Sequence, residues 1–366
     1  MKKILALLLV AVMIVSFCAA CAKTEAPSTE TETSTTESTT TETTETTDTE
    51  EVPDAATLVS DAFIDPLADW SQYDELIAEI KAETDFAHRT ELMHEAEDIL
   101  MSNWCVLPFY YYNDIYMMKD YVTGMYANVF GTKFFHEVKM TNGSDTLRAN
   151  IASEPAYLDP ALSSSVDGAC LAAASFSGLY TYNAEGHPVP ACATGYTVSD
   201  DGLTYTVTLK DGLKWSDGSD VTAEDFVYAW RRLTAPETDS QEAEILSMVA
   251  GYEDAHAGDP EALGVYAEDE HTFVVTLSTM CPYFVDAVCT AAATMPVQQK
   301  AVEGGEGWSA SRTWFVGNGP YRRTGDWSDS LFATLVKQED HYNARQVRAD
   351  RIEIRFKSAA EAAKDA

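Results

Sequence analysis

The chain has 366 residues, of which 59 are acidic and 24 basic, for a formal net charge of −35. The excess runs through the folded part as well as the N-terminal region. It argues against nucleic acid as a partner and favours cationic or neutral ligands.

At the N-terminus, Lys2 and Lys3 precede an apolar run from Ile4 to Phe17. The run is too short for a comfortable membrane span and reads as an export signal. Cys18-Ala19-Ala20-Cys21 resembles a bacterial lipoprotein cleavage site, with Cys18 where leucine is usual and Cys21 as the residue that takes the lipid. An ordinary cleaved signal is the alternative. Residues 1–21 are thus the signal and lipid site. Residues 22–69 open as almost pure Thr, Glu, Ser and Asp, which cannot bury apolar surface, and are expected to form a disordered tether.

Residues 74–80 and 87–101 carry apolar side chains at helical spacing, the second with Leu92, Ala96, Ile99 and Leu100 inward. Residues 106–112, VLPFYYY, predict a buried strand. Residues 134–140 and 147–151 are strand-like, and Thr141-Asn142-Gly143-Ser144 between them predicts a hairpin turn. Beyond Cys18 and Cys21 five cysteines remain, Cys105, Cys170, Cys192, Cys281 and Cys289, with no CxxC pattern. Cys281 and Cys289 are too far apart to bridge on a helix, so mostly buried free thiols are expected, with at most one disulfide.

Enzyme signatures are weak. His94-Glu95 opens like HExxH, but Asp98 replaces the second histidine. His88 and His94 would face different sides of a helix, and the other histidines lack ligand spacing. No G-x-S-x-G occurs, and Gly317-Asn318-Gly319 reads as a turn rather than a phosphate cradle. No catalytic residue, cofactor or metal is expected.

The stretch from Gly195 to Leu233 is the most informative. Ser199-Asp200-Asp201-Gly202 is a turn, and residues 203–209 alternate, with Tyr205, Val207 and Leu209 on one face. Lys210-Asp211-Gly212 and Trp215-Ser216-Asp217-Gly218 are further turns. Thr222 caps a helix, with Asp225 three residues on, and Phe226, Ala229, Trp230 and Leu233 form its buried face.

This ordered set resembles the oligopeptide-binding family, the extracytoplasmic solute-binding proteins of peptide ABC importers. Leu158-Asp159-Pro160, Gly178-Leu179-Tyr180, Pro282-Tyr283-Phe284 and the run from Val316 through Gly317-Asn318-Gly319-Pro320 to Tyr321 fall in the family's order. The resemblance implies an α/β, two-lobed, periplasmic-binding-protein-like (type II) fold with mixed sheets. Residues 146–357 resemble the family's N-terminal portion and residues 70–140 its C-terminal end. The order is therefore expected to be circularly permuted, with the junction at residues 141–145; fusion of a duplicated gene fragment is the alternative. Chain ends that lie close together tolerate such rejoining. The first lobe is expected from about 113–175 plus 302–357, and the second from about 176–301. Residues 358–366 would begin the crossing to a third lobe that is largely missing.

In the resembled family a peptide lies extended between the lobes and pairs with strand edges. The resemblance places the first-lobe edge at Ser164, Ser165 and Val166, with a plain surface loop as the alternative. It also makes Tyr111 and Tyr112 cleft candidates, although one or two of Tyr110, Tyr111 and Tyr112 are expected in the core. Glu242 stands near where an aromatic lining residue is expected, and could receive a cation or simply begin a solvated helix. Trp215, Trp230, Trp308 and Trp314 are read as packing. The implied function is capture of oligopeptides by a lipid-anchored, monomeric receptor. It would be held to the membrane through its N-terminal lipid and deliver peptide to permease and ATPase subunits. The alternatives are another ligand of the same family (dipeptide, nickel chelate or signalling peptide) or a non-binding interaction lipoprotein.

Overall fold

A computed structural model describes residues 70–111, 113, 115–305, 307–310, 315–324, 332–358 and 361–362. The export signal, Cys21, the tether, Tyr112 and Trp314 lie outside the described residues. No helix among the described residues is long and apolar enough to cross a membrane.

Helices α1 (Ser71–Ala82) and α2 (Phe86–Ser102) form a hairpin, α2 capped by the Asp85 carboxylate on the His88 amide. Its core is small: Ile80, Leu92 and Ala96 are buried, with Ile99 and Leu100 half-buried. Arg89 ties the hairpin to the rest of the chain, donating to the Ile80 carbonyl and lying 4.5 Å over the Tyr283 ring.

The buried strand expected at residues 106–112 does not form over its described part, residues 106–111. Residues 106–111 are irregular, Phe109 is 84% exposed and Tyr111 96%. A strand with bulky side chains on both faces needs cover on both faces and a hydrogen-bonding neighbour. The described residues supply neither, so the expected core packing of a tyrosine fails for Tyr110 and Tyr111.

Short strands β1 (Val122–Thr123), β2 (Tyr126–Ala127), β3 (Lys133–Phe134) and β4 (Lys139–Met140) follow, β2 pairing with β3 and β1 with β4. The turn at residues 141–144 forms, with Gly143 at φ +82°, but no hairpin does. β4 returns to β1, whereas β5 (Thr146–Ile151) runs parallel to the distant β14 (Arg351–Phe356). Turn chemistry is local; pairing is decided by which apolar faces share a core.

Two cores organise the rest. The first lies under a four-stranded sheet ordered β12 (Tyr321–Arg323), β13 (Phe332–Lys337), β14, β5, antiparallel except for the last pair. Helix α3 (Val166–Ser175) packs Cys170, Leu171 and Ala174 against Leu147, Leu335, Ile352 and Ile354. Phe135 and Val138 join this core from the β3–β4 segment. Between α3 and the second core runs the small pair β6 (Tyr180–Tyr182) and β7 (Pro188–Pro190).

The second core is larger. Strands β8 (Ala193–Val198), β9 (Thr204–Leu209), β10 (Val265–Asp269) and β11 (Thr272–Thr276) form an antiparallel sheet in the order β10-β11-β9-β8. β9 buries Tyr205, Val207 and Leu209, as its alternation predicts. Helix α4 (Ala223–Thr234) covers the sheet with Phe226, Ala229, Trp230 and Leu233. Its N-terminus is fixed by the Asp225 carboxylate, which accepts the Thr222 amide at 2.8 Å and the Trp215 indole at 3.3 Å. Trp215, Trp230 and Trp308 are all buried. Four of the five described cysteines are buried and Cys105 is exposed; all five are free thiols.

Candidate functional site

The two cores meet at a seam of two neighbouring chain segments, the end of α3 and residues 317–319. The Gly319 amide donates to the Ser175 carbonyl at 2.9 Å. Asn318 closes a reciprocal pair with Ser177, its Oδ1 accepting the Ser177 amide and its Nδ2 donating to the Ser177 carbonyl, both at 2.9 Å. Gly317 accepts from the Ser216 amide at 2.8 Å. A Cβ on Gly319 would lie 2.4 Å from the Phe176 nitrogen, and one on Gly317 2.1 Å from the Ser175 oxygen. The glycine pair therefore serves close backbone approach, which corrects its reading as a simple turn.

Buried polar groups complete the seam. The His341 Nδ1 accepts the Asn343 amide, so its Nε2 carries the proton and donates to the Ser177 hydroxyl at 3.2 Å. Burial, with smaller contributions from His136 and Lys210, lowers the His341 pKa to about 3. The Cys192 thiol donates to the Ser177 carbonyl, and burial pushes its pKa up to about 12, which removes it as a nucleophile.

The Leu158-Asp159-Pro160 motif sits where the cores approach, and Leu158 packs against both. Asp159 is 2% exposed. Arg232 grips its two oxygens as a fork at 3.0 and 2.5 Å, and the Trp308 indole donates to Oδ2 at 3.1 Å. Sequence reasoning missed this trio. Its signal was a pair of opposite charges, one inside the "LDP" motif and one inside the "RRL" helix end. A second tie joins the same loop to α4's exit, where the Ser240 hydroxyl donates to the Ala161 carbonyl.

Ser164, Ser165 and Val166 do not form a strand edge. Ser165 caps α3 by accepting the Gly168 amide at 3.1 Å, and Ser164 and Val166 lie exposed at the helix start. The small-residue run that follows is a helix, so a serine cap is the local solution. Glu242 is half-buried beside Ser240, whose hydroxyl accepts its amide, and burial raises its carboxyl pKa. That corrects the solvated-helix reading: its helical turn is the short one at Ala243–Leu246. The Ser240–Ala161 tie sets Glu242 near the loop that leads into Ser164. Tyr111 stays apart in the exposed run, and no hydrogen bond or ring contact joins these candidates directly among the described residues.

A groove of about 660 Å³ opens on the outer face of α4, lined by Leu162, Tyr228, Arg231, Arg232, Thr238 and Glu261 among others. None of the candidate residues lines it. No group of three or more His, Cys, Asp or Glu side chains among the described residues is placed to hold a metal ion.

Residues 187–366 match the model of the bacterial extracellular solute-binding proteins, family 5 Middle. Over these residues the chain matches the family 5 solute-binding proteins. It is 36% identical over 221 residues to the oligopeptide-binding protein OppA of Bacillus subtilis, covering 59% of this chain and 40% of the relative. It is 39% identical over 177 residues to the periplasmic murein peptide-binding protein MppA of Escherichia coli, covering 47% of this chain and 32% of the relative. The OppA structure from Burkholderia pseudomallei aligns with a TM-score of 0.58 at 30% identity, covering 61% of this chain and 44% of that one. The chain thus spans less than half the length of the curated relatives it matches, and the type II periplasmic-binding-protein fold holds over the matched part. The family is defined by solute binding rather than by a reaction.

Proposed function

We propose that this chain is the extracytoplasmic receptor component of a peptide ABC importer, lipidated at Cys21 and acting without a covalent step. Peptide is captured between lobes and handed to permease and ATPase subunits. The observation that carries the reading is the seam: two cores joined by two adjacent segments, Ser175–Ser177 and residues 317–319, which is the construction a hinge closure requires. The Asp159–Arg232–Trp308 trio and the Ser240–Ala161 tie mount the loop ahead of Ser164 and Glu242 on α4, so ligand contact there would be relayed to the second core.

In this reading Ser164, Ser165 and Val166 contact ligand from the first lobe and Glu242 from the second, and Tyr111 and Tyr112 belong to the opposite wall. The permuted order is part of the proposal. It is supported by Phe135 and Val138, which enter the same core as β5 and β14. A second reading, a family member that no longer traps ligand, is favoured by the exposure of residues 106–111.

Intrinsic tryptophan fluorescence of the full-length protein, titrated with a mixed peptide library, separates the two. A receptor responds at about micromolar peptide. A well-folded protein that gives no response overturns peptide capture in favour of the second reading.

A further inference from the structure

The sheet β12-β13-β14-β5 has two unlike faces. Its inner face, Leu335, Ile352, Ile354 and Leu147, packs on α3. By register its outer face aligns Arg322 with Val336, Arg351 and Thr146 in one row. The next rows are Thr334, Glu353 and Arg148, then Phe332, Arg355 and Asn150. Among the described residues four exposed guanidinium groups therefore share this outer face with a single carboxylate, around a buried Thr334. Glu353 serves two of them, Arg148 at 3.3 Å and Arg351 at 3.5 Å. Arg322 and Arg355 are exposed and have no ion-pair partner among the described residues.

This is unexpected in a chain with 59 acidic and 24 basic residues, where an ordinary solvated face should be acidic. It is also unexpected at the parallel pair β14–β5, because parallel strands are ordinarily covered on both faces by apolar layers. Arginines leave this face unsuited to an apolar cover and suited to phosphate, which guanidinium groups grip as forks. Neighbouring strands set the side chains about 5 Å apart across the sheet and about 7 Å apart along it, so the cations form an array rather than one pocket.

We propose that this arginine face is a docking surface for an anionic phospholipid layer, orienting an otherwise acidic body against the bilayer. Charge complementarity selects the partner. A net charge of −35 repels the rest of the chain from such a layer, so attraction confined to one face fixes orientation as well as distance. The proposal uses the export and lipidation reading only for nearness to a membrane. It is independent of ligand, so its failure leaves peptide capture untouched.

The test is vesicle co-sedimentation of the processed chain, from position 21 onward with Cys21→Ser, so that neither the apolar signal nor an acyl chain contributes. Vesicles of phosphatidylcholine containing phosphatidylglycerol are compared with pure phosphatidylcholine, at low and at high salt. The expected result is a preference for the anionic vesicles at low salt that disappears at high salt. Arg322→Gln with Arg355→Gln removes the two unpaired charges and should lower anionic partitioning roughly thirtyfold with an unchanged melting temperature. Arg→Lys at the same two positions should keep most of it. Equal binding to both vesicle types overturns the proposal, as does an anionic preference that survives the double Gln variant. So does a double Gln variant that binds vesicles normally yet fails in peptide uptake by cells, which would assign the face to an acidic protein partner.

Discussion

The second core and the N-terminal piece respond in opposite ways to similar composition. Both are rich in large apolar side chains. In the stretch from Phe176 to Ala301, strand, helix and turn signals agree, and Trp230, Phe226, Phe273 and Leu246 are fully buried. From Trp104 to Met118, ten large hydrophobics, among them Trp104, Leu107, Phe109 and Ile115, stay exposed. The lesson is that apolar content states a need for cover and not its fulfilment. A segment buries when a complementary face closes on it, as α4 closes on β9 and β11. The α1–α2 hairpin, with three buried apolar side chains, offers no such face.

The comparison breaks most visibly if the packed side is struck at its buried charge. Asp159→Ala leaves the Arg232 guanidinium, 15% exposed, without its fork partner and the Trp308 indole without an acceptor. Urea unfolding should show a loss of about 3–5 kcal/mol. A loss under about 1 kcal/mol would mean the trio is not the fastening between loop and helix.

His341 sharpens the contrast through pH. Its imidazole is held neutral in the native chain, with the pKa down from 6.5 to about 3. The unfolded chain takes a proton below about 6.5. Stability is therefore complete above that value and is lost as pH falls towards about 3, by an amount on the order of a few kcal/mol. Melting temperatures of wild type and His341→Gln, followed from neutral pH down to about 4, should show the steeper fall in the wild type. Parallel curves would rule out His341 as the source.

The smallest effect belongs to the loose side. Phe109→Ser and Tyr111→Ser should change unfolding free energy by no more than about 0.5 kcal/mol, because neither side chain is covered. A cost of about 2 kcal/mol from either would show that the run packs in solution.

Much of the second core was legible because its signals are local. The alternation of Tyr205, Val207 and Leu209, the Thr222–Asp225 cap and the face of α4 all lie within a few residues of one another. What escaped was non-local. Asp159 meets Trp308 across 149 residues, a link that no period or spacing reveals. The hairpin expected at residues 141–144 had correct turn chemistry and the wrong partner. The Ser164–Val166 edge was assigned by resemblance, although Ser165 before a run of small residues was itself a readable helix start.

The parallel pairing of β5 with β14 carries a consequence in time. Arg148 and Glu353, side by side in the finished sheet, are 205 residues apart along the chain. During synthesis β5 emerges early and stays without its neighbour until the second core's strands and helices have passed. Contacts of such long separation form late and slowly. The first sheet is therefore the last part to assemble, and in the interval an unpaired edge strand stands open to wrong partners.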